Sequence, residues 1–197
     1  MRYPKSIQSL IDELVKLPGV GPKTAERYIF YLLKQSQEGL QAFADSVAKL
    51  RKDIKICRKC LAVSDSDPCS ICSDNNRDSQ SICVVENSRD LATIEGTKQY
   101  NGKYFVLGGL IDALEGVSPD KLPFGKLEKL VQEQGIKEVI IATSFTVEGE
   151  TTAMYIKRLL SGRAKLSRLA KGLPSGSNLE YADDLTLLNA LKYRNEI

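Results

Sequence analysis

Cys57, Cys60, Cys69 and Cys72 follow one another as C-x2-C-x8-C-x2-C. Zn²⁺ takes four thiolates in a tetrahedron at about 2.3 Å, and each CxxC turn supplies two of them from one short knuckle. Four sulfurs leave no position open for water or substrate. The expected ion is therefore structural, a brace for a segment too small and polar to build its own core. The competing arrangement is two disulfides, as in a small secreted scaffold. Residues 1–17 lack the continuous apolar stretch of a signal peptide, so the expectation is one zinc ion on reduced thiols in a cytoplasmic chain. Cys83, inside Ile82-Cys83-Val84-Val85, reads as a small buried hydrophobe.

A second chemistry lies near the N-terminus. Two helical patterns flank Leu17-Pro18-Gly19-Val20-Gly21-Pro22. At Gly19 and Gly21 no side chain screens the backbone, so a phosphate oxygen can approach the amides. The second helix starts at once and aims its free N–H groups the same way. Lys23 and Arg27 stand four residues apart, on one helical face, where both can reach a nucleic-acid backbone. Nothing there reads base edges, so binding is expected to be independent of sequence and steeply dependent on salt. An ordinary helical hairpin would use the same glycines merely to turn. Gly21-Pro22-Lys23-Thr24 has the ending of a P-loop but neither its spacing nor its preceding strand. The stretch Leu17 to Ala25 resembles a helix–hairpin–helix DNA-binding motif.

Carboxylates form a third group. Glu86 ends the strand pattern Cys83-Val84-Val85 with Asp90 one turn later, and Glu148 and Glu150 follow the apolar Val139-Ile140-Ile141. Open sheets place ligands at strand ends, and hard oxygens suit Mg²⁺. The layout is similar to a Toprim domain, in which a strand-end Glu and a later Asp-x-Asp hold Mg²⁺. Here Thr146-Val147-Glu148-Gly149-Glu150 stands where Asp-x-Asp would be. Three uses remain open: a magnesium site, a solvated sheet rim, and a docking surface for a basic partner. A strand-passage enzyme would also need a tyrosine nucleophile; Tyr104 and Tyr155 are available, and nothing in the sequence marks either as activated. The chain has no histidine, which removes Ser-His-Asp and Cys-His schemes and His-ligated metal sites.

The elements that must position these groups can be read from periodicity. Ile7, Leu10, Ile11, Leu14 and Val15 predict a helix over 6–16. Pro22 opens another over 23–33, and a third covers 39–52. A polar linker is expected over 73–81. From there strands over 82–85, 104–107, 138–142 and 166–169 alternate with helices over 89–94, 124–134 and 150–160, the pattern of a parallel sheet covered on both faces. A closing helix is expected over 183–193. With 42% hydrophobic and 27% charged residues the chain is globular. No apolar stretch approaches a membrane span. Its net charge of +3 is lopsided: residues 1–60 hold 12 Lys/Arg against 6 Asp/Glu, and the rest hold 16 against 19. A basic face for an anionic partner is one reading, solvated helix surface another. Between Thr151 and Leu179 there is no acid, yet Lys157, Arg158, Arg163, Lys165, Arg168 and Lys171 all fall there. They could meet nucleic acid or the acids of a neighbouring subunit. Tyr3, Tyr28, Phe30, Tyr31 and Leu32 offer more apolar surface than one small hairpin hides; they could pair hairpins between subunits or pack on the third helix.

The order of parts resembles the bacterial recombination mediator family RecR. Further stretches similar to that family are Tyr104-Phe105-Val106-Leu107-Gly108-Gly109, Thr146 to Ala153, Leu169-Ala170-Lys171-Gly172-Leu173-Pro174 and Leu179-Glu180-Tyr181-Ala182-Asp183. The chain thus reads as an α+β multidomain protein. Its parts are a helix–hairpin–helix domain over 1–53, a four-cysteine zinc module over 54–80, an α/β Toprim-like parallel sheet over 81–172, and a C-terminal tail and helix over 173–197 suited to oligomerisation. The resemblance implies a non-catalytic, nucleoid-associated protein that helps load recombinase on gapped or single-stranded DNA. It also implies RecO and, in some bacteria, RecF as partners, and a ring-like homotetramer or a dimer. The alternative from the residues is a Mg²⁺-dependent Toprim nuclease or topoisomerase-like enzyme using Glu86, Glu148 and Glu150.

Overall fold

A computed structural model describes residues 3–194 of the chain, which separates into two compact units, one ending at Ile54 and the other starting at Lys55. In the first, α1 (Lys5–Leu14) and α2 (Pro22–Leu32) pack against each other, and α3 (Gln37–Asp53) follows. The turn between α1 and α2 closes through Val20 N–H donating to the Leu17 carbonyl at 3.1 Å. Gly19 sits in it at φ +77°, a left-handed conformation that glycine adopts without a Cβ penalty. Gly21, at φ −87°, is extended and needs no such freedom. The buried residues here are Ile11, Ala25 and Ile29, with Tyr3, Ile7, Leu14, Val15 and Val20 around them. Ser36 caps α3 by accepting from Gly39 N–H at 3.1 Å. No residue of α3 is buried, and Tyr28, Phe30 and Tyr31 of α2 remain exposed, Phe30 meeting Tyr3 edge-on with ring centres 5.8 Å apart.

The second unit opens with a two-stranded antiparallel hairpin, β1 (Lys55–Ile56) and β2 (Val63–Ser64), and a single helical turn, α4 (Ser70–Ser73). Then come β3 (Asp78–Val85), α5 (Ser88–Gly96), β4 (Gly102–Val106), α6 (Phe124–Glu133), β5 (Glu138–Ala142), α7 (Val147–Leu159), β6 (Lys165–Arg168) and α8 (Asp184–Lys192). The four later strands form one parallel sheet in the order β4-β3-β5-β6. Alternation along the strands sorts side chains onto two faces. Ile82, Val84, Phe105, Leu107, Val139 and Ile141 meet Phe124, Leu127 and Val131 of α6 and Ala153 and Ile156 of α7. Cys83, Val85, Tyr104 and Val106 face the other way, onto Leu91 of α5 and onto Cys57, Cys60, Ala62 and Cys69.

That second face changes the expected organisation. The cysteine segment shares a core with the sheet and covers one of its faces. Asp78–Ser81, expected as linker, is the first half of the central strand β3. Asp78 pairs with Gly102 of β4 and Ser81 with Glu138 of β5, with a break in the β4 register between Asp78 and Ile82. Helix α7 also starts three residues earlier than expected, at Val147. Thr146 caps it by accepting from Gly149 N–H at 3.2 Å, so Glu148 and Glu150 occupy its first turn, where carboxylates are favoured by the helix dipole. No described helix is long and apolar enough to cross a membrane.

Candidate functional site

The four expected metal-binding cysteines converge. Their sulfurs all lie within 4.8 Å of one another, and Cys60 and Cys69 sulfurs are 3.6 Å apart. Four sulfurs around one ion at about 2.3 Å stand roughly 3.8 Å from each other, so the arrangement fits a tetrahedral ion. Two knuckle amides point at sulfur: Cys69 N–H at Cys57 Sγ and Cys72 N–H at Cys69 Sγ, each 3.4 Å. Such donors favour thiolate over thiol. At Cys57 burial pushes the thiol up, but the amides of Cys60, Cys69 and Lys59 outweigh it and bring it down to about 7. Contact with the Cys72 sulfur, then burial, holds the Cys60 thiol well above its ordinary value, and burial does the same at Cys69. A divalent ion that binds these crowded sulfurs displaces the protons they hold. The donors are all soft and closed to solvent on most sides, which suits a structural ion rather than one that handles substrate. Cys83 is a separate case: it is buried among apolar side chains, and burial pushes its thiol up to about 12.

The knuckles are tied to the sheet at several points. The Val106 amide donates to the carbonyl of Cys60 at 2.8 Å. Lys103 Nζ donates to the carbonyls of Ile71, 2.8 Å away, and of Asp74. Arg77, 13% exposed at its side chain, pairs with Glu95 and donates to the Gly102 carbonyl at 3.1 Å. Val63 N–H reaches Ser88 Oγ at 2.9 Å, at the start of α5 and two residues beyond Glu86. Spacing marks none of these side chains, because each bridges positions far apart in sequence.

In the hairpin unit Lys23 and Arg27 are both exposed on α2, four residues apart. Gly21 is the N-cap and supplies no side-chain acceptor; the first backbone bond of the helix runs from Ala25 N–H to the Gly21 carbonyl, 3.0 Å. The amides of Lys23 and Thr24 precede it and are open toward whatever lies beyond the turn. A Cβ at Gly19 or Gly21 would meet nothing within 4 Å, so the space over this turn is clear.

The four carboxylates do not behave as one group. Glu86 and Asp90 are half-buried neighbours around the Asn87 cap of α5; burial first, then the Asp90 charge, pushes the Glu86 carboxyl up. Glu150 is held by Lys171 at 2.5 Å and by Arg168, and the contacts with Lys171 keep its carboxyl low, with Arg168 adding to them. Among the described residues the cysteines are the one group of three or more His, Cys, Asp or Glu whose ligand atoms lie within 4.8 Å. The carboxylates therefore bring no three-oxygen cage together, and Glu150 already has two cations. Gly149, between the two acids of α7, has a packing role: a Cβ there would collide with the Ser144 carbonyl oxygen, so the loop lies on the bare backbone of the helix. Tyr104 is 1% exposed, and burial pushes its hydroxyl up, while Tyr155 packs on Phe124 with ring centres 4.6 Å apart.

The acid-free basic run is largely neutralised within the chain. Arg163 pairs with Glu128, Lys165 with Glu138 at 3.3 Å, and Arg168 and Lys171 with Glu150. The run of cations is visible in sequence. The acids that meet it come from 18 to 35 positions upstream, on other elements, and are not.

Comparison with known proteins agrees with this anatomy. Residues 7–50 match the family described as RecR, helix-hairpin-helix, residues 80–170 the Toprim domain, and residues 172–195 the family described as RecR, C-terminal. The chain is 45% identical over 195 residues to the recombination protein RecR of Rippkaea orientalis (strain PCC 8801 / RF-1), covering 99% of each. It is 45% identical over 188 residues to the recombination protein RecR of Gloeothece citriformis (strain PCC 7424), covering 95% of this chain and 94% of that one.

Proposed function

The chain belongs to the RecR family, and from that premise we propose that it is a DNA-binding adaptor of recombinational repair that performs no chemistry of its own. With RecO, and RecF where present, it would promote recombinase loading on gapped or single-stranded DNA in the bacterial cytoplasm, at the nucleoid. The observation that carries the DNA reading is the turn of the hairpin unit. Open amides and Lys23 stand at the start of α2 with Arg27 one turn further along, and no side chain obstructs approach at Gly19 or Gly21. Lys23 and Arg27 take phosphates, so affinity is independent of base sequence. The test is fluorescence anisotropy with labelled DNA over a salt series. Lys23→Ala and Arg27→Ala are each expected to weaken binding across all sequences and to lower the salt slope by about one. Unchanged affinity in both would remove the hairpin contact.

Zinc is the ion we assign to the four cysteines, on their sulfur-only donor set and spacing. Glu86, Asp90 and Glu148 serve as a docking rim for a basic partner surface rather than as a magnesium site. Glu86 supports this: it is kept partly desolvated beside another acid, an arrangement that costs stability and that a cationic partner would relieve. Charge reversal at Glu86 or Glu148 is expected to abolish partner capture while DNA binding persists; capture that survives both changes would dispose of the rim. The chain works as a homo-oligomer, a ring tetramer or a dimer. The exposed Tyr28, Phe30 and Tyr31 of α2 and Phe43, Val47 and Leu50 of α3 support that reading, since each keeps between 42% and 65% of its surface open. A monomeric mass in sedimentation would overturn it.

A further inference from the structure

Two clefts in the sheet unit meet at the Glu150–Arg168 pair. One, of about 240 Å³, is lined by Met154 and Lys157 of α7 and Leu166 and Ser167 of β6. The other, of about 500 Å³, is lined by Phe145, Leu169, Lys171, Tyr193 and Arg194. Both include Glu150 and Arg168, so they form one groove along β6, an edge strand of the sheet. Its charged residues are Lys157, Arg168, Lys171 and Arg194 against Glu150 alone, a local surplus of positive charge in a unit whose sequence carries 19 Lys/Arg and 19 Asp/Glu. Its second cleft, at Phe145 and Leu169, lies past the carboxyl ends of β5 and β6, where open α/β sheets take ligands.

The polar groups of the groove are arranged for exchange. Arg168 spends one guanidinium nitrogen on Glu150 and another on the Ser144 carbonyl, 3.3 Å away, while its Nε–H is buried without any acceptor. Both Arg168 and Lys171 also lie 4.6 Å from the centre of the Phe145 ring, which keeps the two cations side by side. Tyr193 is 53% exposed and presents a ring at the far wall. Cations spaced along a groove and an exposed aromatic ring are the two elements that bind single-stranded nucleic acid without reading its sequence: phosphates meet the charges and a base stacks on the ring.

We propose that this groove binds a single nucleic-acid strand, with Arg168, Lys171 and Arg194 meeting phosphates, Tyr193 stacking on a base, and Glu150 holding the cations in place until a phosphate displaces it. The idea rests on the DNA-binding reading but places a second, separate contact in the sheet unit. It also gives Glu150 a role distinct from the docking rim, as an internal competitor whose removal strengthens binding instead of weakening it.

The experiment uses the full chain and a short oligothymidylate carrying 5-iodouracil, in the wild type and in a Lys23→Ala/Arg27→Ala background that lacks the hairpin cations. Photocrosslinks are expected at Tyr193 in both. In the double-variant background, Lys171→Gln lowers the salt slope by about one, and Tyr193→Ala weakens binding about 5-fold or more. Glu150→Gln tightens binding and raises the slope. These three residues are all partly exposed, and an unchanged thermal transition confirms that each variant folds. Crosslinks confined to residues before Ile54, or a Glu150→Gln variant that binds no tighter, would overturn the groove while leaving the hairpin contact standing. Loss of neither affinity nor slope in the double variant, with Tyr193 still crosslinked, would instead remove the hairpin and leave the groove.

Discussion

The two units hide their apolar residues to very different degrees. In the first, three of the described residues are buried, and Tyr28, Phe30, Tyr31, Phe43, Val47 and Leu50 of α2 and α3 are exposed. In the second, a four-stranded sheet is covered on both faces, by α6 and α7 on one side and by α5 and the cysteine knuckles on the other. A segment of this size with so small a core is marginal by itself, whereas the sheet unit has enough buried surface to be self-sufficient once its knuckles are closed. The contrast separates two strategies for presenting charge. The hairpin unit leaves Lys23 and Arg27 without carboxylate partners among the described residues. The sheet unit pairs four cations of its acid-free run, Arg163, Lys165, Arg168 and Lys171, with its own acids, so that stretch binds only what can compete with them.

The strongest way to break this comparison is through the metal. Cys60→Ser, or chelation of the wild type, is expected to unfold the sheet unit's second core, because Cys60 lies beneath the sheet and its carbonyl receives the Val106 amide. Structural zinc in small modules supplies on the order of 10 kcal/mol, so calorimetry should show the main transition lowered by tens of degrees or lost. A small shift would mean that the sheet stands without its knuckles. Release should also be driven by acid, since protons compete with the ion for all four thiolates.

Cavities test the difference in core size. Ile29→Ala and Ile156→Ala remove the same atoms from buried positions, each costing about 2–5 kcal/mol. In the hairpin unit that exceeds what three buried residues can spare, so amide exchange there should become fast throughout. In the sheet unit the same loss should lower the transition temperature and leave the unit folded. Equal responses would erase the distinction.

Arg77→Met probes the link between knuckles and sheet. It strands Glu95, a loss of about 1–3 kcal/mol at neutral pH. The contact with Arg77 holds the Glu95 carboxyl below its ordinary value, so the pair stabilises the fold above the unfolded carboxylate pKa. That contribution disappears as pH falls through the lowered folded value. The variant should therefore converge on the wild type below about pH 4 in denaturant titrations. The smallest expected effect has the opposite sign. Burial and Asp90 push the Glu86 carboxyl up, so the ionised side chain costs stability once pH rises above the unfolded value. Glu86→Gln should stabilise the protein at pH 7 by about 0.5 kcal/mol or less, and the gain should vanish in acid. A destabilised variant would show that Glu86 serves the fold.

Much of this arrangement is written in local pattern. The CxxC pairs define the ligand set because two thiols three residues apart can share one ion only through a tight turn. The hairpin is equally plain: Pro and Gly break the helical period between two amphipathic segments, and Pro22 can only begin the next helix. The strand of continuous apolar residues at Val139 to Ile141 could only be buried. Helix ends are less legible, and the start of α7 escapes periodicity because Thr146 caps it through a side chain that the apolar period does not weigh.

What the linear order could not contain was pairing at a distance. Nothing near Lys171 announces that Glu150 will meet it, or that Arg168 will lie on Phe145; nothing near Cys60 announces the Val106 amide. Those meetings depend on parallel strands brought into register by separate helices, so the partners are set by the sheet's order β4-β3-β5-β6. Residue types and spacing determined that this chain carries a sulfur cage, a glycine turn flanked by cations, and carboxylates at strand ends. Tertiary packing decided which of those charges remain free, because a charge is available to a partner only where the fold has brought no opposite charge against it.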